Sequence, residues 1–289
     1  MSELLTLSHV SKAFGGVQAI DDFSLSLSEG AIHGLIGPNG AGKTTIFNTI
    51  TGIYQADAGE IRFDGEDITH TTPHGAAQRG IARTFQNIRL FGNLPVIENV
   101  VIACNLYAAY SLPDALLRTP RFRRARRETL ERAAEYLEIV GLSDRAGERA
   151  DSLPYGHQRK LEIARAMATD PRLLLLDEPA AGMNAEESAE LVDFILKLRE
   201  RFSVTILLIE HHMDVVANLC QACTFPDYQH CLLQRRGSGL GPLPGDFGIG
   251  CLDPGYSVGD IFVDDGFIEV RHLRYNVREL LFPQVMCFA

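Results

Sequence analysis

The chain has 289 residues, enough for one large domain or two small ones with a substantial core. Its 27 Lys+Arg against 37 Asp+Glu give a net charge of −10, so no global field favours nucleic acid and none is expected as a partner. No run approaches the roughly 18 consecutive apolar residues of a membrane span, and the first residues lack a signal-peptide pattern, so the expectation is a soluble, cytoplasmic protein.

Residues 4–27 alternate apolar and polar: Leu5, Leu7 and Val10, then Ile20, Phe23, Leu25 and Leu27. That is the period of half-buried antiparallel strands. Phe14, followed by Gly15-Gly16, falls in the turn between them; an aromatic plate for an adenine ring and ordinary hairpin packing fit this position equally. Ala31 to Ile36 reads as a short buried strand, and Thr44 to Ile50 as the start of a helix with Ile46, Phe47 and Ile50 on one face. Between them Gly37-Pro38-Asn39-Gly40-Ala41-Gly42-Lys43-Thr44 matches G-x-x-x-x-G-K-[ST]. The glycines let the backbone turn its N–H groups toward an anion at the helix N-terminus. Lys43 is then set against the β- and γ-phosphates, and the Thr44 hydroxyl is a ligand for Mg²⁺. A glycine turn that binds nothing is the weaker reading, because the strand and helix that the motif requires are both present.

Glu60 to Gly65 reads as a further strand and turn. Thr72-Pro73 opens a short helix that Thr72 can cap and Gly80 can end. Ile81 to Gln86 follows as a strand ending on Gln86, whose amide can donate and accept at once, as a sensor of metal-bound water must; alone it would be a surface glutamine. From Leu94 to about Gly141 the pattern is helical, with Val96, Ile97, Val100, Val101 and Leu106 early and Leu130, Ala134, Leu137 and Val140 late. Arg118, Arg121, Arg123, Arg124, Arg126 and Arg127 cluster between these runs; a solvated helix face is the plainer reading, contact with a membrane partner or lipid headgroups the other. Leu153 to Gln158 precedes a helix from about Arg159 to Ala168, and its glycine lets a phosphate approach closely. Leu173 to Leu176 forms a strand buried on both faces, so Asp177 emerges at its C-terminal end, where open parallel sheets bind ligands. Asp177 suits Mg²⁺ held through water and Glu178 suits polarising an attacking water. Asn184 to Glu187 reads as a capping box. Thr205 to Ile209 is another buried strand, ending in Glu210-His211-His212, with His211 suited to a γ-phosphate contact.

The order P-loop, Gln86, helical insert, Leu153-Pro154-Tyr155-Gly156-His157, Asp177-Glu178, His211 resembles the nucleotide-binding domain of ABC transporters. More narrowly it is similar to the ATP-binding subunits of branched-chain amino acid uptake systems. The narrower match rests on Ile81-Ala82-Arg83-Thr84-Phe85-Gln86-Asn87, Leu161-Glu162-Ile163-Ala164-Arg165-Ala166, Asp177-Glu178-Pro179-Ala180-Ala181-Gly182-Met183-Asn184 and Leu208-Ile209-Glu210-His211. The resemblance covers roughly residues 1–219. It implies an α/β fold: a P-loop NTPase (RecA-like) core with an antiparallel β subdomain and a helical insert subdomain at about 87–158. It also implies that Phe14 stacks on adenine and that Gly37, Pro38, Asn39, Gly40, Ala41, Gly42, Lys43, Thr44 and Thr45 bind the phosphates of ATP. Thr44, Gln86 and Asp177 serve Mg²⁺, Glu178 and His211 serve hydrolysis, and Gln86 couples the metal site to a membrane subunit. Leu153, Pro154, Tyr155, Gly156 and His157 form the signature that closes over ATP bound to the opposite subunit of a homodimer or heterodimer. The implied partners are integral membrane permease subunits, reached through the insert near Leu90 to Val101, and indirectly a substrate-binding protein; the implied place is the inner face of the cell membrane. Pro154 and Tyr155 stand where many ABC proteins have Ser and Gly, which removes a hydroxyl near the γ-phosphate; Tyr155 is usual for this subfamily.

The family should continue after Leu219 with Asp-Arg, a buried strand, a glycine turn and an amphipathic helix. Here Gln221-Ala222-Cys223 stands instead, only Asp227-Tyr228 loosely fits a strand end, and residues 226–259 hold eight glycines and four prolines without a sustained period. An irregular or poorly ordered stretch is the expectation. Five of the six cysteines also follow residue 219. A nucleotide-binding chain of this length belongs in a reducing compartment, so a disulfide framework is not expected, and Cys220, Cys223, His230 and Cys231 make only a weak case for zinc. Phe267 to Leu273 resembles the opening strand of another ABC ATPase and parallels Leu4 to Val10. A reading-frame change near residue 220, running into a neighbouring gene of the same kind, explains both features, and fails if neither alternative frame of the coding DNA encodes the missing pattern. A soluble ABC ATPase of repair or translation, a lipid export subunit and a cassette uncoupled by its tail are the competing functions. One cassette with a short insert disfavours the first, and Tyr155-Gly156 disfavours the second.

Overall fold

The computed structural model describes residues 3–105 and 110–226, and beyond them the backbone of strands at 231–235, 247–251, 261–264, 267–270 and 273–276. Two units are distinguished, Met1–Ala76 with Thr205–Ala289, and Ala77–Val204.

The first unit opens with β1 (Glu3–Phe14) and β2 (Val17–Ser28), an antiparallel pair. The alternation expected over residues 4–27 is realised: Leu5, Leu7, Val10, Ile20, Phe23, Leu25 and Leu27 are all buried. β3 (Ile32–Leu35) is buried at every position and feeds α1 (Lys43–Ile50), whose Ile46, Phe47 and Ile50 are fully buried. Each such side chain contributes about 2 kcal/mol by leaving water. β4 (Ala58–Phe63) pairs antiparallel with β1, β5 (Glu66–Asp67) pairs with β4, and α2 (Pro73–Gln78) begins after Thr72, whose hydroxyl accepts from the Gly75 N–H at 3.2 Å.

In the second unit, β6 (Ile81–Arg83) pairs in parallel with β7 (Leu173–Asp177), which is buried throughout. β6 is shorter than the strand expected through Gln86; only the Thr84 N–H, donating to the Leu175 carbonyl at 2.9 Å, extends the pairing. The α-helices that follow among the described residues are α3 (Val96–Cys104), α4 (Leu112–Leu116), α5 (Pro120–Ile139) and α6 (Tyr155–Met167). Leu106 lies outside the described residues. The six clustered arginines are all exposed, which suits a solvated face and a contact surface alike. α6 starts four residues before the expected Arg159, so Tyr155, Gly156 and His157 are its first turn rather than a loop ahead of it. α7 (Ala185–Phe202) carries the expected capping box: Asn184 Oδ1 accepts from the Glu187 N–H at 2.9 Å, and Glu187 Oε2 from the Asn184 N–H at 3.1 Å.

The chain returns to the first unit with β8 (Thr205–Ile209), parallel to β3, and α8 (Met213–Leu219). The strand expected after Leu219 and taken as lost is present. β9 (Ala222–Thr224) lies parallel to β3 on its other edge, and the Ile32 N–H donates to Gln221 Oε1 at 3.1 Å. Glycine makes this approach possible, since a Cβ on Gly34 would meet Cys223 Sγ at 2.9 Å and Cys220 Sγ at 3.1 Å. Within the stretch expected to be irregular, β10 (Cys231–Arg235) and β11 (Phe247–Cys251) pair antiparallel, and β10 pairs with β9. β12 (Ile261–Asp264), β13 (Phe267–Val270) and β14 (Leu273–Asn276) form a separate antiparallel sheet, so the strand expected from Phe267 ends at Val270. Asp227, Tyr228 and His230 lie outside the described residues.

Candidate functional site

The first unit holds the phosphate loop. Gly40 (φ +92°) and Gly42 (φ +80°) take left-handed backbone conformations that other residues adopt only under strain. Gly42 is also the N-cap of α1 and makes no side-chain cap, so no capping side chain competes with an anion at the helix N-terminus. A Cβ at Gly42 would lie 2.2 Å from the Ala19 carbonyl oxygen, and one at Gly37 would lie 3.2 Å from Ala41 Cβ. Lys43 is buried, and its Nζ donates to the Gly37 and Pro38 carbonyls at 2.6 and 2.7 Å, which puts a positive charge inside the loop. Thr44 is exposed beside it. Backbone N–H groups at a helix N-terminus, one ammonium and an exposed hydroxyl are the donor set that a polyphosphate with a hard cation requires.

β8 ends at Glu210-His211-His212 in the same unit. Glu210 is 1% exposed, and its Oε1 accepts from the His211 N–H at 2.9 Å, from the His212 N–H at 3.2 Å and lies 2.8 Å from His212 Nδ1. This carboxylate fixes the backbone that presents His211, a role that sequence reading assigned to no residue. The signal available was an acidic residue set directly between a buried strand and two histidines. Phe14 is 40% exposed and meets the Tyr54 ring edge-on at 5.0 Å, with Lys12 Nζ 5.4 Å from its own ring centroid. Lys12 also binds Asp57 at 2.6 Å, which with the Ala13 N–H holds the Asp57 carboxyl below the usual carboxylate range. The ring thus packs against a residue outside the hairpin, between α1 and β4, and still offers surface.

The second unit brings Gln86 and Glu178 together: Gln86 Nε2 donates to Glu178 Oε2 at 2.8 Å. Glu178 sits at φ +46°, so the chain turns sharply just past β7. Asp177 is buried and paired with Arg83 Nη2 at 2.7 Å, both side chains being 6% exposed. Sequence reading placed Arg83 in the Ile81 to Asn87 run that carries the resemblance but gave it no role of its own. Among the described residues no group of three or more His, Cys, Asp or Glu converges on a metal position. Magnesium at a nucleotide needs only one or two protein oxygens besides phosphate, and the Thr44 hydroxyl and the Asp177 carboxylate, each within its own unit, are oxygens of that kind.

The signature residues border a cavity of about 170 Å³, lined by Pro154, Gly156, His157, Lys160, Met183, Glu187 and Glu190. Leu153 anchors the segment in the core while Tyr155 is 44% exposed. Burial first, then the Arg145 and Lys160 charges, lower the His157 pKa, so its imidazole is neutral near pH 7. Gly182, at φ +79°, brings the Ala181 to Asn184 turn against the Tyr155 ring. The expected site residues are therefore divided: Phe14, the phosphate loop and His211 belong to one unit, and Gln86, the signature, Asp177 and Glu178 to the other.

A glycine-lined loop running into an uncapped helix, and a buried strand ending at an Asp-Glu pair, are marks of a P-loop nucleotide-binding protein. The ABC transporter family model matches residues 20–181, and the chain belongs to that family. It is 46% identical over 216 residues to the high-affinity branched-chain amino acid transport ATP-binding protein BraF of Pseudomonas aeruginosa, covering 75% of this chain and 85% of the relative. The corresponding LivG protein of Escherichia coli is 45% identical over the same shares. Among solved structures, a nucleotide-free ATP-binding cassette from an ABC transporter is 32% identical with a TM-score of 0.67, covering 78% of this chain and 87% of that one. The ADP conformation of an ATP-binding cassette of an ABC transporter, also 32% identical, gives 0.68 over the same shares. The α/β fold expected from the resemblance, a P-loop core with an antiparallel β subdomain and a helical insert, is the fold these cassettes share with the chain. No helix among the described residues is long and apolar enough to cross a membrane.

Proposed function

We propose that the chain is the ATP-hydrolysing subunit of an importer for branched-chain amino acids or related small amides. The observation that carries this reading is the 46% identity over 216 residues to a branched-chain amino acid transport ATP-binding protein. Residues 37–45 hold the phosphates of ATP, and Phe14 offers its ring to adenine. Thr44 and Asp177 hold Mg²⁺, which supplies charge neutralisation at the phosphates. Asp177 must then exchange its Arg83 partner for the cation. Glu178 polarises the attacking water, Gln86 orients it, and His211 contacts the γ-phosphate. Leu153 to His157 close over the ATP of a second cassette, identical or related. Closure does work on membrane permease subunits only if ATP binds the closed form better than the open one. The segment from Leu90 to Val101, with Phe91 49% exposed, is the surface offered to those subunits on the cytoplasmic face of the membrane. Residues 220–289 depart from the family pattern, and a frame change remains our reading of that departure.

The test uses tagged Glu178→Gln protein purified with ATP from detergent-solubilised membranes. Polytopic membrane subunits should co-purify. Return of the chain alone, repeated with a family-like tail in place of residues 220–289, would move the assignment to a soluble ABC ATPase.

A further inference from the structure

We propose that Arg159, held by Glu162, is a positioning residue that sets Gln86 against Glu178; the inference rests on the ATPase reading of that pair. Arg159 is the largest fully buried side chain of the described residues, and Glu162 beside it is 1% exposed. Burying a guanidinium and a carboxylate is unfavourable, and an apolar pair of similar volume would fill the same core with less penalty. What an apolar pair cannot supply is the donor pattern. Arg159 Nη1 donates to the Phe85 carbonyl at 2.7 Å and to Glu162 Oε2 at 2.9 Å, and Nη2 donates to the Gln86 carbonyl at 2.8 Å. The other Glu162 oxygen accepts from the Arg89 N–H at 3.2 Å.

These bonds fall on a segment that has left β6 and has no sheet partner. Two consecutive carbonyls and an N–H three residues on are satisfied by one fork and its counterion. Fixing the carbonyls of Phe85 and Gln86 fixes the peptide from which the Gln86 side chain departs, and Gln86 Nε2 reaches Glu178 at 2.8 Å. The same Nη2 donates to the Tyr155 hydroxyl at 3.1 Å, so the first turn of the signature helix and the Gln86 segment share one buried hub. A lysine, with its donors on a single nitrogen, cannot span both carbonyls and the glutamate in this way. Misplacement of a catalytic group by about 1 Å can cost on the order of a hundredfold in rate while leaving nucleotide affinity set by the phosphate loop.

The experiment compares wild type, Arg159→Lys and the double variant Arg159→Met/Glu162→Met, which removes the hub without leaving a lone buried charge. ATP turnover is measured for each, together with hydrogen exchange of the amides of residues 85–89. The double variant should lose about tenfold or more in kcat with KM for ATP within about threefold, and its Arg89 amide should exchange faster by a similar factor. Arg159→Lys should fall between. Turnover and exchange matching wild type in a folded double variant would overturn the proposal; if that variant does not fold, wild-type turnover by Arg159→Lys would do so. Absence of ATP turnover in the wild type would sink the ATPase reading instead, leaving exchange at Arg89 to judge the hub.

Discussion

The phosphate loop and the Gln86–Glu178 cluster are built by opposite means. The loop is mostly backbone: Gly40 and Gly42 in left-handed conformations, a first turn of α1 with no side-chain cap, and a single lysine folded over the carbonyls of its own loop. The cluster is side chains set by other side chains, Arg83 on Asp177, Gln86 on Glu178 and Arg159 on the carbonyls before and at Gln86. A backbone site lies within one short run of residues and tolerates little besides glycine at its turns. A side-chain site is gathered from distant parts of the chain, and its supports can be exchanged one at a time. Binding and hydrolysis should therefore be separable by mutation.

The backbone character of the loop is broken most directly at Gly42. Gly42→Ala adds a Cβ 2.2 Å from the Ala19 carbonyl at a φ of +80°. Strain and forced backbone movement together should cost about 4 kcal/mol of stability, and ATP affinity should fall with it, read by denaturant midpoints and a nucleotide titration. Survival of both at wild-type values would show that the loop does not need its left-handed glycine.

A smaller effect sharpens the comparison from the strand behind the loop. His33 on β3 is 4% exposed, its Nε2 lies 2.8 Å from Thr224 Oγ1, and burial pushes its pKa down from 6.5 to about 4. The unfolded chain binds the proton more readily, so this contribution to stability is complete above pH 6.5 and is lost as pH falls from 6.5 to about 4. The loss should total about 3 kcal/mol at 1.36 kcal/mol per unit. Urea midpoints across that range should show it, and His33→Gln should flatten the slope there; an unchanged slope would assign the acid sensitivity to carboxylates.

The same contrast explains what could be read in advance. The phosphate loop, the alternating strands and the capping box at Asn184 are local patterns, and they stand where the residues place them. Arg83, Arg159, Glu162 and Glu210 escaped because what singles them out is a partner far along the chain or a burial that periodicity does not report. The early start of α6 was hidden by Tyr155-Gly156-His157, poor helix formers that the fold nevertheless places in a first turn. β9 was taken as lost because the family's residues are missing, yet Cys223 and Thr224 are small enough to lie along the bare face of Gly34. Glycines at 248 and 250 interrupt the apolar alternation of β11, so its pairing with β10 left no period to find.

The most direct measurement is made on matched preparations of wild type and Glu178→Gln, titrated with ATP and then followed for phosphate release. Affinity should agree within about threefold while hydrolysis falls on the order of a hundredfold or more, because the proposed function sets the carboxylate on the attacking water and leaves the nucleotide to the backbone loop. Loss of affinity together with hydrolysis, or hydrolysis at the wild-type rate, would contradict the division between a backbone site that binds and a side-chain site that reacts.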